Sequence, residues 1–357
     1  MVSSSPTISF DEALAQATDG RGLDEHGIIA LLDCGDADSE RLFATADEVR
    51  RRFVGNDVHL RALIEFSNHC RKNCDYCGIR ARNRNVSRYR LSPEEIVSTA
   101  RQAADSGFGT VVLQSGEDAW FTRDRMACII RAIKTSTGMA ITLGVGERDE
   151  GTYRAWRDAG ADRFLLRIET TDPDLFRRLH PDDDLDARKA CLVALRDLGY
   201  QVGSGVMVGL PGQTLQTLAR DVIWMRDFGV EMIGIGPFLP HPETPLAQAL
   251  PGTINLTLRL VATLRLVFPY GHIPATTAMG SLLPGGRERA LAVGANVLMP
   301  NMTPRAIRDD YALYPDKVGL DATSDDRIDD LHNRILALGR TIAKGPGHVA
   351  RHCQGES

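Results

Sequence analysis

Seven times along this chain a stretch with helix-period apolar positions ends in a glycine, and a short β-branched or apolar run soon follows. Gly107 stands before TVVLQS, Gly138 before AITLGV, Gly160 before RFLLRI, Gly199 before QVGSGVMV, Gly229 before MIGIG, Gly271 before IPAT and Gly294 before NVLMP. Glycine reaches the left-handed backbone region that terminates helices, so each site is expected to be a helix stop feeding a strand. With the earlier run ALIEFS at 62–67 the pattern gives eight strands separated by helices, in units of about 30 residues, the size of a βα repeat. Strands that alternate with helices require a parallel sheet, and eight of them fit a closed (βα)8 barrel. A doubly wound open sheet is the alternative; either fold places chemistry at the C-terminal ends of its strands.

The helices carry signals of their own. Ser92-Pro93-Glu94-Glu95 supplies an N-cap, a proline at the first helical position and a capping-box glutamate, and Asp172-Pro173 repeats the device. Leu185, Cys191, Leu192, Leu195 and Leu198 recur on one helical face. Residues 1–61 read as a helical extension, with SFDEALAQA, DEHGIIALLDC and SERLFATADEVRRRFVG. The barrel is expected over 62–302, and 303–357 as a C-terminal extension holding one helix, IDDLHNRILALGRTI. A net charge of −5 with interleaved signs shows no nucleic-acid footprint. No apolar run approaches the roughly 18 residues of a spanning helix, and the start lacks the charged and apolar regions of an export signal, so a cytoplasmic protein is expected.

Seven cysteines, an odd number without an export signal, argue against a disulfide framework. Three of them, Cys70, Cys74 and Cys77, form a CxxxCxxC loop in FSNHCRKNCDYCGIR, directly after the first strand. A tetrahedral zinc site generally takes four ligands, and no second cysteine pair follows; zinc would need His69 as the fourth. Three thiolates on one loop suit an iron–sulfur cubane held at three irons with the fourth left open. Cys34, Cys128, Cys191 and Cys353 read as packing residues.

A CxxxCxxC loop after strand one of a (βα)8 barrel resembles the radical S-adenosylmethionine superfamily. The resemblance implies a TIM-type barrel of the radical kind, with one [4Fe–4S] cluster whose open iron chelates the amino and carboxylate groups of S-adenosylmethionine. One-electron reduction then cleaves the sulfonium and yields a 5′-deoxyadenosyl radical. Within the superfamily, IEFSNHCRKNCDYCGIR, YRLSPEEIV, VLQSGED, DRFLLRIET, MVGLPGQT, IGIGPFLPHPETPLA, IPATTAMG, PGGRE and GANVLMPN resemble the [FeFe]-hydrogenase maturases of the HydE type. The related methylornithine and biotin synthases share the barrel and the cysteine loop but not this whole set.

By that resemblance Tyr76 packs against the adenine, and the loop Gln114-Ser115-Gly116-Glu117 meets the methionine amino group. Thr142 offers a hydroxyl near Gly144. Alternation sends Arg167 and Glu169 to one face; Glu169 is expected to accept from the ligand's amine or ribose, and Arg188 to grip its carboxylate. On spacing alone Arg188 reads as an exposed helix charge. Met232 is expected near the sulfonium or adenine, and Arg163, Thr276, Thr277 and Tyr311 around an internal substrate cavity. Some family members carry a further cysteine cluster after the residue matching Tyr311; here VGLDATSDDRIDDLHN has none, so a single cluster is expected. His348, His352 and Cys353 could hold a metal, although a frayed tail is the stronger reading.

The implied function is maturation of the [FeFe]-hydrogenase active site, through radical processing of a small iron–cyanide–carbonyl complex of cysteine. The implied partners are a tyrosine-lyase radical enzyme, a GTPase scaffold, and an electron donor such as ferredoxin or flavodoxin. A methylornithine-synthase-like mutase acting on an amino acid is one alternative; a non-enzymatic iron–sulfur or zinc protein is another, of a different class.

Overall fold

The computed structural model describes residues 8–315, 317 and 328–349. Three helices come first, Phe10–Thr18, Glu25–Leu32 and Asp36–Val54. Ser9 closes the first with a reciprocal Ser9 and Glu12 capping box, and Asp24 caps the second. Nine strands follow among the described residues: β1 Asp57–Leu60, β2 Ala62–Ser67, β3 Thr110–Ser115, β4 Ala140–Gly144, β5 Arg163–Leu165, β6 Gln201–Val208, β7 Met232–Pro237, β8 Val297–Leu298 and β9 Thr341–Ile342.

Strands β2 to β7 form one parallel sheet in sequence order, each preceding strand joined to the next by a helical crossover. The eight regular strands expected from the glycine pattern become six plus a reduced pair. The seventh contributes only bridges, Met232 to His272 and Pro274 to Val297, and the eighth is the two-residue β8, which pairs with β1. A further bridge joins Leu63 to Asn301, with Leu63 N–H donating to the Pro300 carbonyl at 2.9 Å. The hydrogen-bonded path thus returns to β2, in the manner of a TIM-like barrel. Pro274 and Pro300 lack donors, which keeps the ladder short there.

Six of the seven junction glycines have positive φ: Gly107, Gly138, Gly160, Gly199, Gly229 and Gly294. Gly271 does not; it sits in close packing, where a Cβ would lie 2.8 Å from Ile233 Cδ1 and 3.1 Å from Phe268 Cβ. The helix at Pro93–Asp105 carries the predicted capping box, with the Ser92 N–H donating to Glu95 at 2.7 Å. The second predicted start, Asp172-Pro173, opens Pro173–Leu179. On Leu185–Asp197 the buried face contains Leu185, Leu192 and Leu195 as expected, and Arg188 with them. The last helix, Ile328–Ala337, is shorter than its predicted span. Among the described residues no helix is long and apolar enough to cross a membrane.

The segment 341–349 turns under the barrel. Strand β9 pairs with β1, and residues 345–349 cross the N-terminal ends of the strands. Thr110 and Arg163 donate to the Pro346 carbonyl at 2.8 and 2.6 Å, and Gln201 donates to that of Val349 at 3.1 Å.

Candidate active site

Inside the barrel lies a cavity of about 380 Å³, reached from the C-terminal ends of the strands. The three cysteines of the loop after β2 all line it. That loop has no regular structure, so its shape comes from side chains. The Arg88 guanidinium donates to the carbonyls of Asn68, Ile79, Arg80 and Asn83, at 2.5 to 3.0 Å, satisfying four backbone acceptors with one residue. Gly116, at the end of β3, lets the backbone press against the loop: a Cβ there would sit 2.3 Å from the His69 carbonyl oxygen and 2.8 Å from the Cys70 Cβ. The next N–H, of Glu117, donates to the Cys70 sulfur at 3.3 Å.

Burial pushes all three thiols up, Cys77 to about 12, and each thiolate would also repel its neighbours. A cation is therefore needed to hold them ionised. Among the described residues no three His, Cys, Asp or Glu side chains converge as ligands of a single ion. The donor set, three thiols spread along one wall, fits a cluster bound at three irons better than the zinc site with His69.

The wall next to the thiols presents unsatisfied polar atoms. Thr142 Oγ1, Glu169 Oε2, and Arg167 Nε and Nη2 are buried without hydrogen-bond partners. Arg167 and Glu169 do share a face, and Nη2 and Oε2 meet as an ion pair at 3.2 Å, which leaves Thr142 Oγ1 and Arg167 Nε as the atoms without a polar contact. Burial raises the Glu169 carboxyl, with Arg167 and Arg188 offsetting part of it. Buried polar groups in native proteins find partners, so these mark a place for a polar ligand. Tyr76 lies on the apolar side, in a cluster with Leu175, Leu179, Met207, Leu210 and Phe238. Its hydroxyl meets His180 Nε2 at 2.9 Å. An apolar slot beside hydroxyl and carboxylate groups suits a nucleoside carrying an amino-acid tail.

Arg188, Glu117, Ser115, Gln114 and Met232 line the same cavity but have protein partners of their own. Arg188 is only 7% exposed, so it is no surface charge. Its guanidinium is held by Glu147 at 2.6 Å, Asp183 at 2.5 Å and the Arg167 carbonyl at 3.2 Å. The Glu117 carboxylate is likewise engaged, with Arg71 at 2.9 Å, Arg148 at 3.5 Å and Lys72 at 3.7 Å. The Ser115 hydroxyl donates to the Gly116 carbonyl at 2.7 Å, and Gln114 donates to the Tyr311 hydroxyl at 3.4 Å. Lys72 contacts Glu147 and Asp183 besides Glu117. This mixed-charge rim of Lys72, Arg188, Glu117, Glu147 and Asp183 had no sequence signal beyond its separate charges.

Met232 opens β7 and so sits low, where its sulfur accepts from Arg61 at 3.0 Å. The six residues of β7 put it roughly 16 Å from the strand's C-terminal end. Thr276, Thr277 and Tyr311 line the cavity. Arg163 does not join them: it opens β5 and is consumed by Gln201 at 3.1 Å, Thr110 at 3.2 Å, the Pro346 carbonyl and His348 at 2.9 Å. His348 thus docks on Arg163, while His352 and Cys353 lie outside the described residues. Of the cysteines read as packing, Cys34 is buried and Cys191 half-buried, but Cys128 is exposed. Cys353 is also outside the described residues.

The deep cation of the cavity is instead Arg61. Its Nε has no partner, nor has Nε2 of the neighbouring His272. Burial and nearby Arg163 pull the Arg61 guanidinium well below its ordinary value. Arg61, Leu63 and Glu65 all line the cavity. Their period-two spacing into β2 could have been read from the sequence. Glu65 pairs with Lys317, whose ammonium also donates to the Tyr311 carbonyl at 3.2 Å. No local pattern points from residue 65 to residue 317.

The chain's similarities agree with this geometry. The family model described as the radical SAM superfamily matches residues 64–225. The [FeFe] hydrogenase maturase subunit HydE of Thermotoga maritima is 52% identical over 280 residues, 78% of this chain and 80% of that protein. The 3-methylornithine synthase of Methanosarcina barkeri is 30% identical over 309 residues, 85% of this chain and 87% of that protein. A crystal structure of methylornithine synthase superposes with a TM-score of 0.81 at 27% identity, covering 93% of this chain and 97% of that one.

Proposed function

Since the chain belongs to the HydE-type maturases of the radical S-adenosylmethionine superfamily, enzymes that use a [4Fe–4S] cluster and S-adenosylmethionine, we propose that it processes an iron–cyanide–carbonyl complex of cysteine during assembly of the [FeFe]-hydrogenase active site. The observation that carries this reading is one deep cavity with three thiols at its mouth, unsatisfied polar atoms along its wall and a buried guanidinium at its floor. Cys70, Cys74 and Cys77 would hold the cluster. When bound, cluster and cosubstrate supply a 5′-deoxyadenosyl radical.

The protein's own residues bind and orient. Tyr76 and its apolar neighbours would take the adenine, while Thr142, Arg167 and Glu169 meet ribose and amino groups. Gln114, Ser115, Glu117 and Arg188 would frame the methionine end, the last two through the charged rim. Deeper, Thr276, Thr277 and Tyr311 would surround the substrate, with Arg61 taking its carboxylate in the role expected of Arg163. A guanidinium forks onto a carboxylate, and the low dielectric strengthens the pairing. Walls that exclude water protect both a primary radical and a labile complex. We place this work in the cytoplasm, with an electron donor of the ferredoxin or flavodoxin kind, a tyrosine-lyase radical enzyme upstream and a GTPase scaffold downstream.

The test is anaerobic reconstitution followed by dithionite reduction with S-adenosylmethionine. 5′-Deoxyadenosine is expected from the wild type and none from Cys74→Ala; formation by both proteins would end the radical reading. Similarity to methylornithine synthase favours a second reading, a mutase acting on an amino acid. Turnover of an amino acid without any iron-containing substrate would establish it in place of the first.

A further inference from the structure

We propose that Asp221, which does not line the cavity, is a positioning residue: its carboxylate clamps the Thr170-Thr171 turn and thereby holds Glu169 in the conformation that faces the ligand. The inference rests on the reading of Glu169 as a contact of S-adenosylmethionine.

Glu169 has φ of 62°, and no other non-glycine residue among those described has a positive φ. A side chain in the left-handed region is strained, and such strain persists only where the surroundings over-determine it. The upstream side is fixed by β6: Ile168 N–H donates to Ser204 Oγ at 3.1 Å, and Glu169 N–H to the Gly205 carbonyl at 3.0 Å. The downstream side is fixed by Asp221. One of its oxygens accepts from the Thr171 N–H at 2.5 Å, the Thr171 hydroxyl at 2.6 Å and the Thr170 hydroxyl at 3.4 Å. Thr170 in turn accepts from the Asp172 N–H at 3.1 Å, at the cap of the next helix.

The placement of Asp221 is costly, which argues for a use. It is 0% exposed, on a helix Leu215–Phe228 whose buried face is otherwise Thr217, Leu218, Ala219, Val222 and Met225. No cation pairs with it among the described residues, and its second oxygen has no partner. Burial raises the carboxyl to about 7 even with three donors on it. An apolar side chain would pack there more cheaply. It would leave the turn after Glu169 without its anchor.

The reconstituted holoenzyme decides the matter through two double-mutant cycles. In the first, thermal unfolding is followed for Asp221→Ala with and without Glu169→Gly. With glutamate at 169, loss of the clamp lets the turn relax and recovers part of the strain, whereas glycine has no strain to recover, so loss of the clamp should lower Tm markedly more in the glycine background; equal losses would overturn the proposal. In the second, KM for S-adenosylmethionine is measured in 5′-deoxyadenosine formation. Asp221→Ala is expected to raise it about tenfold, the scale of one lost charged hydrogen bond, with iron content unchanged, and to add little to Glu169→Gln. An unchanged KM in a folded Asp221→Ala protein, or multiplied effects in the double variant, would also overturn it. Should Asp221→Ala not fold, Asp221→Leu, which fills the apolar setting and offers no acceptor to the turn, replaces it in both cycles. A wild-type KM in Glu169→Gln would refute instead the reading of Glu169 as a ligand contact, leaving the unfolding cycle to judge the clamp.

Discussion

Arg61 is a guanidinium with no carboxylate against it among the described residues; its Nη1 reaches only the Met232 sulfur and its Nη2 the Gly347 carbonyl at 3.4 Å. Such a group destabilises the free protein and rewards an anionic ligand. Arg61→Met is therefore expected to leave Tm unchanged or higher, while raising KM for the substrate about tenfold or more. A lower Tm with unaltered KM would show that Arg61 serves packing alone. The contrast with Arg163 is instructive. Both are deep arginines beside a strand start, but the crossing segment at 346–348 supplies acceptors to one and hardly any to the other.

At the scale of elements, the end of β3 and the cysteine loop depend on each other through Gly116. Gly116→Ala forces a Cβ against the His69 carbonyl, which is backbone and has little room to yield. The expected outcome is a several-fold fall in reconstituted iron content with far-UV circular dichroism retained; full cluster loading would refute this coupling. A contrasting change is Ser92→Ala, which removes half of a capping box whose residues do not line the cavity. It should cost about 1 kcal/mol of stability in denaturant unfolding and leave KM for S-adenosylmethionine unaltered. Much at this scale was legible: β2, β3, β6 and the caps at Ser92 and Asp172 lie where glycine, proline and alternation put them. The seventh and eighth strands were overread because apolar runs at Ile273 and Val297 are flanked by prolines that limit pairing.

At the scale of the whole molecule, several buried histidines are held neutral. Burial pulls His180 down to about 3 and His59 to about 4, and takes His272 well below its ordinary value. Their folded values lie below the unfolded value near 6.5, so the unfolded chain binds more protons as pH drops. Their contribution to stability is full above that pH and is lost as pH falls through about 6.5 toward 4. Tm should accordingly decline from pH 7.5 to pH 5, and the decline should shrink in His59→Asn. An unchanged decline would remove His59 from the account.

By itself the sequence determined the alternation of strand and helix, the direction of the sheet and the loop on which three cysteines meet. Those follow from local physics: backbone preference at glycine and proline, the periods of two and 3.6, and thiol spacing along a few residues. Only the tertiary structure decided which charges are spent and which are free. Arg188 and Glu117 are bound to the rim, Arg163 to Pro346 and His348, Lys317 to Glu65 across 252 positions, and Asp221 to the turn beside Glu169. Whether a buried charge faces a ligand or a neighbour depends on what the closing of the barrel brings within 3 Å of it, and no stretch of sequence around the residue contains that information.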